Sequence, residues 1–252
     1  STISGRYAAR FNSATSESYR HIDYTRSIGE IYRASVPIGG ASILGFILVN
    51  GDLWLLAHLG SSLDTAIYGA ALRLTFLIVF PLQIANIIVS PYIAKLHAKG
   101  EIQALTTLLR GTSFLVSMVA IPIAIVFYFH GAFILHFIFG PTYSEGSVLL
   151  NVLLFSWLLK AITGPCGYVL YMGGEQRSVF LASLSCTILC LPCAYYMFTW
   201  LGPIGLAISF TIASMILQSC LLYLCHTRLG VNPAASFLRF RQLLKLERVV
   251  TK

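Results

Sequence analysis

The chain has 252 residues, of which 57% are hydrophobic and only 10% charged, and its mean hydropathy is +0.79. A soluble domain carries about 25% charged residues, so this composition excludes a water-soluble fold and requires an integral membrane protein. The formal charge of +8 does not point to nucleic acid, because the basic residues lie between apolar runs and no nucleic-acid module is present.

The chain starts on Ser without a signal-peptide pattern, as expected of a piece of a longer protein or of a processed one. Residues 1–33 read as a cytoplasmic linker and juxtamembrane segment: 1–26 are polar and rich in Ser and Arg. "SIGE" (27–30) then offers a capping box from Ser27 to Glu30 ahead of the first span. A span needs about 20 apolar residues, and six segments qualify: 35–57, 65–93, 111–131, 147–171, 179–200 and 204–226. Turn signals separate them at "LGSSLD" (59–64), "KLHAKGE" (95–101), "FGPTYSEG" (139–146), "MGGEQR" (172–177) and "WLGPIG" (200–205). The expected fold is all-α and polytopic, with residues 34–227 forming one six-helix transmembrane bundle. Over 228–252, Arg241, Lys245, Arg248 and Lys252 fall on one helical face, and Phe237, Phe240, Leu244 and Val250 mostly on the other. This favours a basic helix lying on anionic membrane lipids over a solvated tail.

The basic residues partition by loop. Arg6, Arg10, Arg20, Arg26 and Arg33 precede the first span; Lys95, Lys99 and Arg110 lie between the second and third, and Arg177 between the fourth and fifth. Arg228, Arg239, Arg241, Lys245, Arg248 and Lys252 follow the sixth, and the other loops hold none. The positive-inside rule then places both termini in the cytoplasm, with the protein in the cell membrane.

Two basic residues remain inside spans, Arg73 and Lys160, with the acidic Asp52. A charge at mid-membrane costs at least ~2.5–3.5 kcal/mol on insertion scales. At ~1.5 Å per residue, Asp52 and Arg73 differ by only ~5 Å in depth, so neighbouring antiparallel helices can pair them. The two are a structural ion pair, or snorkel toward the outer headgroups, or line a hydrated cavity and contact a charged ligand or proton. Lys160 has no acidic residue near it in its own span, and is expected to be the one basic residue near mid-depth, facing a central cleft. Gln83, Asn86 and Ser90 gather around Pro81 and suit either interhelical hydrogen bonds or a cavity wall. Pro37, Pro81, Pro122, Pro165 and Pro192 permit bends in five spans.

No catalytic set appears. His130 and His136 flank the outer end of the third span without an acidic partner, which suits interfacial histidines. "CLPC" (190–193) has redox spacing but lies in an apolar helix, where Cys186, Cys190 and Cys193 serve better as small packing residues than as zinc ligands. No cofactor or metal is expected, nor is enzyme activity. A Lys and an Arg facing a cavity suit an anionic substrate such as a lipid pyrophosphate.

Three stretches resemble the polysaccharide and O-antigen flippase family. They are "GDLWLLAHLGSSLDTAIYGAALRLTFLIVFPLQIANIIVSPYIAKLHAKGE" (51–101), "FGPTYSEGSVLLNVLLFSWLLKAITGPCGYVLYMGGEQR" (139–177) and "LGPIGLAISFTIASMILQSCLLYLCHTRLG" (201–230). That family shares a superfamily with the multidrug and toxin extruders. The resemblance implies one bundle, the C-terminal one, of a two-bundle transporter that alternates access. Its partners would be a lipid-linked anionic oligosaccharide, membrane lipids and a missing N-terminal six-helix bundle. Asp52, Tyr68, Arg73 and the run 80–91 match family positions, while Lys160 follows a family habit of placing basic residues in the cavity. The substrate-binding set implied is Lys160, Arg73, Asp52, Gln83 and Asn86. Cation-coupled multidrug export and a non-transporting membrane scaffold stay open as alternatives.

Overall fold

Backbone amides that enter hydrocarbon have no water to bond, so long apolar runs become helices that satisfy every amide internally. A computed structural model describes residues 24–231 and 233, with side chains from Ser35 onward. The expected linker over 1–23 and most of the basic segment 228–252 lie outside the described residues. In chain order the helices are α1 (Tyr24–Leu59), α2 (Ser62–Ala98) and α3 (Ile102–Phe139), then a 3-10 turn (Pro141–Gly146), α4 (Ser147–Thr163), α5 (Cys166–Met172), α6 (Gln176–Leu201) and α7 (Pro203–Leu229). Six segments are long and apolar enough to cross a membrane, as the sequence predicts.

Three details differ from the sequence reading. α1 is already helical at Ser27–Glu30, so that motif lies inside the helix and does not cap it. A capping box forms instead at the start of α2: the Asp64 N–H donates to Ser61 Oγ at 3.0 Å, and the Ser61 N–H donates to Asp64 Oδ2 at 3.4 Å. The fourth span, expected to be continuous, is broken at Gly164–Pro165 into α4 and α5. Pro165 brings no N–H and disfavours helical geometry in the residue before it. Gly164 accordingly takes φ +73, open to glycine at little cost. Pro81 and Pro91 stay inside α2, and Pro122 and Pro192 inside α3 and α6.

The helices close into a ring in the order α2, α3, α4, α7, α6, α1. α4 is central, packing on α2, α3 and α7. α1 packs chiefly on α6, less on α7 and only sparsely on α2. The larger buried cluster includes Leu56, Tyr68, Ile78, Leu135, Leu150 and Leu206. A second, at the end where Lys95, Lys99, Arg177 and Arg228 lie, includes Ile93, Leu105, Leu170, Leu221 and Val231. Large apolar side chains such as Phe129, Phe137 and Leu189 point outward and are more than 70% exposed, as a lipid-facing surface demands. Trp54 and the Tyr196–Trp200 pair (5.9 Å between ring centroids) sit exposed toward the opposite end, where amphipathic aromatics favour the membrane interface.

Candidate functional site

Asp52 follows Gly51, whose missing side chain lets α1 approach α7: a Cβ there would stand 3.2 Å from the Phe210 ring. That approach buries Asp52 to 2% exposure. Its Oδ2 accepts the Tyr68 O–H at 2.7 Å and its Oδ1 accepts the Leu53 N–H at 2.8 Å. Tyr68 is itself fully buried. A buried carboxylate needs such donors, because nothing else in the interior replaces its lost hydration.

Asp52 shares a small cavity with Lys160. Ser156, Trp157, Phe210, Thr211 and Ser214 complete much of the lining. About 10 Å³ is open to the centre of a water molecule, room for roughly one water. The Lys160 ammonium stands 4.0 Å from the centroid of Trp157, a cation–π contact between residues three apart on one helix face. Phe76 of α2 also packs on Trp157, 5.7 Å away between ring centroids.

The expected Asp52–Arg73 pair does not form. Among the described residues no ion pair joins them, and Arg73 is exposed on the outer face of α2. Its depth was read correctly: Leu72, beside it, lines the Lys160 cavity. Its direction was not, since five residues turn a helix roughly 140° from Tyr68. Lys160 is therefore not the one basic residue at that level, and it turns into its own bundle instead of a cleft outside it. Gln83 is exposed, while Asn86 is buried with its Oδ1 lacking a hydrogen-bond partner. The structure thus joins Asp52 and Lys160 and leaves Arg73, Gln83 and Asn86 apart from them.

Tyr68 and Trp157 are the members the sequence reading left out of the set. Trp157 was detectable from its three-residue spacing to Lys160; Tyr68 needed the register of the α1–α2 hairpin. Along α6, Cys190 is buried, Cys186 half-buried and Cys193 exposed. The Cys190 thiol points at the Ser209 carbonyl, 3.9 Å away. His130 and His136 are both exposed.

The MatE family model matches residues 37–196, a stretch that holds Asp52, Tyr68, Arg73, Trp157 and Lys160. No curated protein and no solved structure matches the chain. The match covers more than half of the chain and five of its six apolar helices, and the chain belongs to the MatE family, membrane transporters of the multidrug/oligosaccharidyl-lipid/polysaccharide flippase superfamily.

Proposed function

We propose that this bundle is one wall of a transporter that flips lipid-linked anionic oligosaccharide across the cell membrane by alternating access. The observation that carries the reading is Arg73. It is exposed at the depth of the Lys160 cavity, on the stripe of α2 that also holds Gln83. A cation on the outside of a helix at that depth is costly against lipid and cheap against water, so this stripe suits the wall of a hydrated cleft. A second six-helix bundle would supply the facing wall. Arg73, without a carboxylate beside it among the described residues, would meet the phosphate directly. Lys160, offset by Asp52, would add its field from behind.

In the full-length protein, Arg73→Ala should lower glycan export at least tenfold at unchanged protein level, and Arg73→Lys should keep part of it. Lys160→Ala should lower export less. Normal export by the Arg73→Ala and Lys160→Ala double variant would sink the reading.

One observation favours cation-coupled multidrug export instead: the Asp52 acid and the Lys160 amine line one cavity, and the Tyr68 hydroxyl bonds the acid from outside it. On that reading Asp52→Asn abolishes ion-driven efflux, and Arg73→Ala leaves it intact.

A further inference from the structure

The break in the fourth span lies inside the bundle, and its surroundings differ from those of an ordinary proline kink. A Cβ at Gly164 would overlap the hydroxyl of Ser113 on α3. That fully buried hydroxyl faces two acceptors: the Leu109 carbonyl of its own helix at 2.9 Å and the Pro233 carbonyl at 2.6 Å. The first is the bond any helical serine can make. The second spans 120 positions of sequence.

Pro233 reaches α3 because the chain turns back as it leaves α7. Gly230 takes the left-handed conformation (φ +65), and the Val231 N–H donates to the Cys225 carbonyl at 3.2 Å. This is the geometry of a Schellman stop. Val231 is fully buried in the second cluster. Val231 and Pro233, which follow α7, are thereby brought against the point where the fourth span unwinds. The Pro233 carbonyl lies 3.5 Å from where a Gly164 Cβ would stand.

Other helices hold the break from its α4 side. Gln218 Nε2 donates to Thr163 Oγ1 at 2.6 Å, and the Ser117 hydroxyl donates to the Ala161 carbonyl at 3.3 Å. Lys160 sits one turn earlier, its carbonyl accepting the Gly164 N–H at 3.0 Å.

Unwound backbone within a membrane-spanning bundle persists only where protein groups satisfy and pack it. Here one of those groups, the Pro233 carbonyl, comes from the segment that follows α7. We propose that the segment carrying Val231 and Pro233 is a latch on the α4–α5 break. With Pro233 bonded to Ser113, Gly164 is held and Lys160 stays in its cavity. With the bond released, α4 and α5 turn independently about Gly164–Pro165, and Lys160 moves with the end of α4. This is regulation of the site described above, and it rests on Lys160 belonging to the transport cavity.

The test is amide hydrogen exchange, read by mass spectrometry on the chain in lipid nanodiscs. Four chains are compared: the unaltered one, Ser113→Ala, a chain ending at Gly230, and the combination. Ser113→Ala keeps α3 helical and removes only the shared hydroxyl. Amides of residues 164–172 should exchange about fivefold faster in it, the equilibrium factor of one ordinary hydrogen bond. The shortened chain should show at least that increase, and the combination no more than the shortened chain alone, because both changes break one contact. Amides in the middle of α6 should keep their rate throughout.

Unchanged exchange over 164–172 overturns the latch. So do additive effects, or faster exchange along the whole chain, which would make Ser113 a general support of the fold. No substrate enters this measurement. If exchange changes as expected while Ser113→Ala leaves glycan export untouched, the latch stands and the transport role of Lys160 falls.

Discussion

The Tyr68 hydroxyl is the only side-chain donor bonded to the Asp52 carboxylate among the described residues. Removing it leaves a buried acceptor with the Leu53 N–H and a cavity of one-water size beside it. Interhelical hydrogen bonds in membranes average well below 1 kcal/mol, because the separated helices find other partners. A charged acceptor sealed at 2% exposure belongs at the upper end of that range. Tyr68→Phe should therefore lower the unfolding free energy in detergent by about 1–2 kcal/mol, whereas Asp52→Asn, whose Oδ1 can still accept the Leu53 N–H while its Nδ2 donates to the Tyr68 oxygen, should cost less. Chemical-denaturant titration of the two variants orders them, and a smaller loss for Tyr68→Phe would contradict the assignment. The sequence made Asp52 legible as a buried charge in need of a partner, and depth arithmetic found a residue at the right height. Height along a helix follows from counting residues, but azimuth depends on which face meets the neighbour. Only packing sets that, and it chose Tyr68 over Arg73.

At the scale of elements, α6 and α7 form the most extensive helix–helix contact of the bundle. Their turn closes so tightly that a Cβ on Gly205 would overlap the Met197 carbonyl. The obstacle is backbone, which cannot swing away as a side chain can. Gly205→Ala should destabilise the protein by about 1–3 kcal/mol and lower its melting temperature, while Gly167→Ala, with open space at its Cβ position, should cost little. Equal melting temperatures for the two would refute the close approach. Helix positions were readable from apolar run length alone. The break at Gly164–Pro165 was not separated from the other prolines, because proline alone bends a helix whose neighbouring turns stay bonded. A glycine before it, with φ +73 and a hydroxyl against its face, ends the helix, and that hydroxyl belongs to another element.

For the whole molecule, the charge partition that defined six spans also predicts orientation. The parent chain is a suitable background, since its six cysteines all lie in helices α5, α6 and α7. Cysteines placed at the exposed Ser62 and Thr142 should react with an impermeant thiol reagent from outside the cell. Those at Lys99 and Arg177 should react only after the membrane is opened; outside labelling at Lys99 would invert the topology. Fold class was legible because hydrocarbon leaves the backbone few choices. The ring order was not, because helices adjacent in sequence need not be adjacent in the bundle. α1 illustrates this, touching its covalent neighbour α2 sparsely and settling mainly on α6. That arrangement imposes a schedule on biosynthesis. At ribosomal rates of about 5–20 residues per second, the surface of α6 is completed roughly 7–28 s after α1 leaves the ribosome. Throughout that interval α1 carries Asp52 in the membrane without α6 beside it. Tyr68, only 16 positions later, arrives within the first hairpin and caps the carboxylate long before the rest exists. A chain released after Ala98 should consequently insert both helices, and Tyr68→Phe should raise the fraction that fails, so that the residue which later stabilises the finished bundle first serves as an escort during its synthesis.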